Sequence, residues 1–340
     1  MGNRVFIIAE AGVNHNGSLI LAKQLVDKAV YAGADAVKFQ TFISEKVVSG
    51  QAVQAQYQQR NTGKAESQFE MIKKLELKFE DFTTLKKYSE DKGIQFLSTP
   101  FDPESAIFLQ ELGIEIFKIP SGELTNRPFL ELIGSFGRNV IVSTGMATMD
   151  EITEAVQIIE QAGTSRNRIT VLHCTTEYPA PLDEVNLKAM LHIKDSLGIR
   201  VGYSDHTNGI EVPVAAIALG AEVIEKHFTL DKSMEGPDHR ASLDPEELKQ
   251  MVLSIRNVEV ALSGDGLKHP TPSEIKNRPI ARKSIHMARN IGAGTIIASD
   301  MIEMKRPGDG LSPMIVQNII GRKTKTDLAK DHKLTMEDLV

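Results

Sequence analysis

Two short apolar runs, Arg200 to Tyr203 and Val223 to Glu225, are each followed within three residues by a histidine, His206 and His227, set among carboxylates and hydroxyls. Two imidazoles on neighbouring strands can share one divalent ion and leave its other positions to water or substrate. The structural alternative is a pair of hydrogen-bonded core histidines. Asp205, Glu225 and Asp238 stand nearby in sequence as supporting acids. In "FKIPSGE", Lys118 precedes Ser121 and Glu123. With Ser143 and Ser204 it suits a phosphate or carboxylate, because ammonium and hydroxyl groups donate well to oxyanions. The same lysine could instead form a Schiff base, as in aldolases. Several serines beside two lysines, Lys38 and Lys118, favour the anion site. Glu10 and Glu123 are candidates for acid–base work or for bonding substrate hydroxyls, unless they merely pair with those lysines.

For such residues to meet, they must lie at one end of a set of parallel strands. Runs rich in Val, Ile and Phe recur at Val5–Ala9, Ala36–Gln40, Gln95–Ser98, Ile116–Ile119, Asn139–Ser143, Ile169–His173, Arg200–Tyr203 and Val223–His227. Amphipathic stretches such as "SLILAKQLVDKAVYAGA" and "MDEITEAVQIIEQAG" separate them, several closed by glycine where a helix would end. This repeating unit predicts an α/β fold, a (β/α)8 TIM barrel, whose chemistry gathers at the C-terminal strand ends. Those ends carry Glu10, Asn14 and His15; Lys38 and Gln40; Ser98 and Thr99; Lys118, Ser121 and Glu123; Ser143 and Thr144; His173, Thr175, Thr176 and Tyr178; Ser204, Asp205 and His206; and Glu225 and His227. An open doubly wound sheet is the competing architecture, but no GxGxxG follows the first strand.

The barrel is expected over residues 1–265, closed by a helix in "DPEELKQMVLSIRNVEVALSGDG". Residues 266–282, rich in Pro, Gly and Lys, read as a linker, and 283–340 as a small domain. Within it Ile291, Ile297, Asp300 and Ile302 are spaced like Leu328, Leu334, Glu337 and Leu339, which predicts two similar half-elements. The polar, Gln-rich stretch from Ile43 to Glu66 is long for a βα connection and reads as a lid, an intersubunit arm or a surface insertion.

A formal charge of −6 and a pI near 5.9 argue against a broad basic surface for nucleic acid, and leave room for a local basic pocket that binds a phosphorylated small molecule. The lone cysteine, Cys174, excludes an intramolecular disulfide and suits a reducing compartment. The run "VFIIAEAGV" is too short to span a bilayer and is interrupted by Glu10. A cytoplasmic protein without membrane contact is expected.

The stretches "IIAEAGVNHNGS", "AVKFQTF", "FLSTPFD", "FKIPSGE", "IVSTGMAT", "LHCTTEYPAP", "GYSDHT", "IEKHFTLDKSMEGPDHRASLDPEEL" and "KRPGDG" resemble, in order along almost the whole chain, the sialic acid synthase family. The final segment resembles that family's antifreeze-like (SAF, β-clip type) domain. The resemblance implies a transferase that condenses phosphoenolpyruvate with N-acetylmannosamine, giving N-acetylneuraminate and phosphate. The alternative acceptor is 2,4-diacetamido-2,4,6-trideoxymannose, giving N,N'-diacetyllegionaminate. A Schiff-base sugar-acid aldolase is the more distant reading.

The resemblance further places a divalent metal, Mn2+ with Mg2+ or Co2+ as substitutes, on His206 and His227. It places phosphoenolpyruvate on Lys38, Thr99, Lys118, Ser121, Ser143, Thr176 and Ser204, although the family often has asparagine where Thr176 stands. Sugar contacts fall on Glu10, Gln40, Tyr178 and Asp238, with Glu10, Lys118 and Glu123 as catalytic groups and Glu123 by the reacting centre. Arg306, in "KRPGDG", matches an arginine that reaches into the partner subunit's site, which implies a domain-swapped homodimer.

Overall fold

The computed structural model describes residues 4–62 and 66–340, which divide into two compact units, one ending at Ser263 and the other spanning Gly264–Val340. In the first unit eight strands follow one another with helices between them: β1 (Phe6–Gly12), β2 (Ala36–Thr41), β3 (Gln95–Pro100), β4 (Ile116–Ile119), β5 (Asn139–Ser143), β6 (Ile169–Cys174), β7 (Arg200–Asp205) and β8 (Val223–His227). All ladders are parallel, in the order β3-β2-β1-β8-β7-β6-β5-β4, and β3 and β4 lie side by side to complete a nearly closed barrel. Strand β1 runs three residues beyond the expected Ala9, through a register shift between Glu10 and Gly12. No helix among the described residues is long and apolar enough to cross a membrane.

The helices form where the sequence supplies starts and stops. Ser18 accepts from Leu21 N–H to begin Leu19–Ala32, and Gly33, at φ 80°, ends it. Thr148 and Glu151 make a reciprocal capping box for Met149–Ala162, as Asp244 and Glu247 do for Pro245–Ala261. The outer faces of the strands and the inner faces of these helices share one apolar core.

Inside the barrel a second apolar layer, Ile8, Ala36, Leu97, Ile141, Leu172 and Val223, packs with Phe6 and Ile116. Side chains two positions apart on a strand share a face. Two residues on from this layer therefore stand Glu10, Lys38, Thr99, Lys118, Ser143, Cys174 and Glu225. Strand β7 joins the pattern through Gly202, followed two residues later by Ser204. A Cβ on Gly202 would press on the Val223 carbonyl and lie 2.7 Å from Leu172 Cδ2, so the glycine makes the room that Leu172 fills.

In the second unit Ser284–Met287 pairs antiparallel with Ile302–Lys305. The expected internal echo is structural. Ile291 bridges Leu328, Ile297 and Leu334 are both buried, and the turns Ser299–Met301 and Met336–Asp338 precede Ile302 and Leu339. Within residues 266–282, read from sequence as a linker, Pro272–Ala281 is a helix. Thr271 and Glu274 cap it reciprocally and Pro272 occupies its first turn, local signals that outweigh a proline-rich composition.

Replacing Gly202 by Ala should overpack the barrel interior and lower stability by about 1–3 kcal/mol. Denaturant unfolding measures this, and an unchanged midpoint would mean that Leu172 has space to yield.

Candidate active site

The C-terminal strand ends open into a cavity of about 370 Å³. Its lining includes Glu10, Lys38, Gln40, Thr99, Lys118, Ser121, Ser143, Thr176, Tyr178, Ser204, His206, Glu225, His227 and Asp238. Strand register does the positioning: Glu10 sits beside Lys38 and His227, Gln40 beside Thr99, and Ser204 beside Glu225.

Four buried charges alternate across the floor. Lys38 pairs with Glu10 and lies 3.5 Å from Glu225 Oε2, while Lys118 lies 3.5 Å from Glu225 Oε1. Lys38 Nζ also donates to Thr99 Oγ1 at 2.9 Å, and Ser204 Oγ donates to Glu225 Oε1 at 3.1 Å. Burial opposes ionisation of Glu225, but Lys118 and Lys38 outweigh it and hold the carboxyl well below its ordinary range. Glu10 goes the other way: burial, with Glu225 alongside, pushes it up to about 7 against the pull of Lys38. Burial also pushes the Lys118 ammonium down, with Glu225 opposing. Burial raises Asp238 to about 6.

Several polar atoms face the cavity without a partner. Ser143 Oγ and Thr176 Oγ1 are buried and make no hydrogen bond. Buried hydroxyls are seldom left so in a finished structure, and here they offer donors to a ligand. Gly145 holds the neighbouring ground: its N–H donates to Ser121 Oγ at 2.9 Å, and a Cβ there would press into Thr176 Oγ1. The serine and threonine can approach one another only because that position is glycine.

The two histidine rings are tilted against each other with centroids 5.6 Å apart, and Tyr178 lies tilted against His206 at 4.1 Å. His206 Nδ1 donates to Thr175 O at 2.6 Å, which leaves Nε2 as the lone-pair nitrogen. His227 Nδ1 is buried with no partner. Burial drives His206 down to about 4 and, with His206 adjacent, His227 well below its ordinary value, so both rings are neutral. No group of three or more His, Cys, Asp or Glu among the described residues is arranged to hold a metal. The two neutral imidazoles, with His206 Nε2 free of the Thr175 bond, are donors of the kind an open divalent site uses, and too few for a closed structural one.

Two expected residues fall elsewhere. Glu123 is not among the residues that line the cavity. It ends the 3-10 turn Ser121–Glu123, where successive residues rotate by about 120°, so Ser121 lines the cavity while Glu123 accepts from Asn126 Nδ2 at 2.6 Å. Arg306 belongs to the second unit, where its Nε donates to Ala281 O at 2.9 Å. Asn14 and His15 serve structure. Asn14 Nδ2 donates to Phe228 O and Ser242 Oγ, tying the loop after β1 to the loop after β8, and His15 Nδ1 accepts from Gly17 N–H. Cys174 is buried beside Ser121, with Oγ and Sγ 3.4 Å apart.

Sequence reasoning missed one wall. Val47, Val48, Met71, Ile72 and Leu75, from the connection between β2 and β3, line the cavity with Gln58 and Gln68. The spacing of Met71, Ile72 and Leu75 is an amphipathic signal masked by the glutamines around it. The connection contains the short helices Ser44–Val47, Gln56–Thr62 and Gln68–Lys73; residues 63–65 of the stretch read as a lid lie outside the described residues.

Replacing Asp238 by Asn tests the raised carboxyl. A folded-state value near 6, above the ordinary Asp value, means that the protonated carboxyl contributes stability at low pH that is lost as pH rises through 6. The Asn variant lacks this loss. Between pH 5 and pH 8 its stability relative to the natural protein should improve by about 1–2 kcal/mol, read from denaturant unfolding at both pH values; a constant difference would refute the assignment.

The NeuB family model matches residues 25–268, and the SAF domain model matches 282–340. The chain is 50% identical to the N,N'-diacetyllegionaminic acid synthase of Campylobacter jejuni, over 98% of this chain and 99% of that one. It is 45% identical to the enzyme of the same name from Legionella pneumophila, over 98% and 94%. A solved N-acetylneuraminic acid synthetase from Leptospira borgpetersenii superposes with a TM-score of 0.70 at 36% identity, covering 81% of this chain and 90% of that one.

Proposed function

The chain belongs to the NeuB family, and from that premise we propose that it condenses phosphoenolpyruvate with 2,4-diacetamido-2,4,6-trideoxymannose, releasing phosphate and forming N,N'-diacetyllegionaminate. The enzyme is a transferase. The observation that carries the reading is a buried floor with two lysines and two unpartnered hydroxyls, Ser143 and Thr176, beneath a pair of neutral histidines. The acceptor is chosen on the two legionaminic acid synthases at 50% and 45% identity, against 36% for the sialic acid synthetase. They favour the trideoxy sugar over the N-acetylmannosamine expected first from sequence.

In this reading Lys38, Lys118, Ser121, Ser143, Thr176 and Ser204 hold the phosphate and carboxylate of phosphoenolpyruvate, and Thr99 orients Lys38. Buried donors that are already in place cost no reorganisation as charge shifts during reaction. A divalent ion, Mn2+ first among them, would be held by His206 and His227 and would supply Lewis-acid polarisation of the acceptor carbonyl. The enol carbon of phosphoenolpyruvate bonds to that carbonyl carbon; water then adds at the former enol-ether carbon, and C–O cleavage frees phosphate. Glu10, poised near 7 and bonded by Gln40 Nε2 at 3.4 Å, takes the acid–base role toward the acceptor's oxygen. Tyr178 and Asp238 orient the sugar. Arg306 is assigned to an acceptor N-acetyl group in the partner subunit's cavity of a domain-swapped dimer.

Phosphate release from phosphoenolpyruvate with Mn2+ should be faster with the diacetamido sugar than with N-acetylmannosamine, with each product weighed by mass spectrometry. Preference for N-acetylmannosamine would restore the sialic acid reading. No release with either, together with borohydride trapping of pyruvate on Lys118, would replace the synthase by the aldolase. For the dimer, Arg306→Ala mixed with Lys118→Met should regain up to about a quarter of full activity, since a mixed dimer keeps one intact site; no regain would refute the shared site.

A further inference from the structure

The cavity has two chemically different ends. The floor carries the lysines and hydroxyls, whereas Phe42, Val47, Val48, Met71, Ile72 and Leu75 bring an apolar surface to the same lining. Phe42 and Leu75 are buried with Val13, and Val47, Ile72 and Phe101 pack against them. Phe42 meets Phe101 edge to face, with ring centroids 6.4 Å apart. Met71 is 4% exposed. This cluster stands apart from the main barrel core, so its chief neighbours are one another and whatever fills the cavity.

The acceptor must present C1 to the phosphoenolpyruvate held at the floor, which leaves C4 to C6 at the far end of the sugar. In the trideoxy sugar that end carries a C6 methyl group and the methyl of the C4 acetamido group; in N-acetylmannosamine both positions carry hydroxyls. A hydroxyl buried against Val, Met, Ile, Leu and Phe loses its water without gaining a partner. A methyl there gains from burial. Gln58 and Gln68 are the polar side chains that the connection brings to the same lining, suited to an acetamido group and not to an apolar one.

We propose that the apolar wall supplied by the β2–β3 connection, Val47 and Met71 among its residues, selects acceptors whose C6 is a methyl group. The inference rests on the synthase reading and deepens it by assigning acceptor choice to residues outside the strand ends.

The test compares kcat/KM for 2,4-diacetamido-2,4,6-trideoxymannose with that for its analogue bearing a C6 hydroxyl. The natural enzyme should prefer the methyl form by about 10- to 100-fold, the range over which an apolar pocket rejects an added hydroxyl. Met71→Gln, and independently the isosteric Val47→Thr, should narrow that ratio by about 10-fold, because each gives the hydroxyl a partner. Val47→Thr keeps the volume, so the test survives if Met71→Gln fails to fold. A purely structural defect lowers both acceptors together and leaves the ratio unchanged. An unmoved ratio in folded variants, or no preference in the natural enzyme, overturns the wall's role while leaving the synthase intact. Failure of the natural enzyme with both sugars overturns the synthase reading and this inference together.

Discussion

The site depends on the way four buried charges compensate one another. Removing an ammonium or carboxylate from water costs several kcal/mol, and only close, well-aligned partners repay it. Glu225 lies between Lys38 and Lys118, and Glu10 closes on Lys38 from the other side. Two cations thus serve two anions in one buried row. The arrangement is uneven, because Glu225 has both lysines and Glu10 has one. That asymmetry keeps Glu225 firmly ionised and brings Glu10 to about 7, so two carboxylates in one cavity take different protonation behaviour from their neighbours alone.

The barrel makes that row possible. Each strand end lies two residues beyond an apolar interior side chain, and the pleat turns the two onto the same face. Ile8 and Glu10, Ala36 and Lys38, Ile116 and Lys118, and Val223 and Glu225 repeat the same step. The apolar member anchors the strand and the charged member is carried with it. A rigid scaffold of this kind fixes reacting groups more closely than loops do.

Much of this was legible in the sequence because the strand ends combine a period of two with residue types that are costly to bury. The eight strands and the strand-end residues that line the cavity follow from that pattern. The sequence was less legible where a local turn or composition prevailed. Ser121 and Glu123 are two residues apart, as on a strand, but the chain there is a 3-10 turn, so the two side chains leave it in different directions. The wall from the β2–β3 connection was hidden because glutamines dominate its composition while a few spaced apolar residues dominate its packing. The helix Pro272–Ala281 was hidden by its prolines, since a capping box weighs little in composition and much in structure.

The apolar layer of Ile8, Leu97, Ile141, Leu172 and Val223 also gives the cavity a closed bottom. Beneath it lies a separate cavity at the opposite mouth of the barrel, lined by Arg4, Asn139, Arg168 and Arg200 among others. The two cavities share no lining residue, so among the described residues the chamber opens on the side of the strand ends and not through the opposite mouth. On the reading proposed above, an anion held against Lys38 and Lys118 lies at the closed end and the acceptor lies outside it, which orders their entry with the anion first.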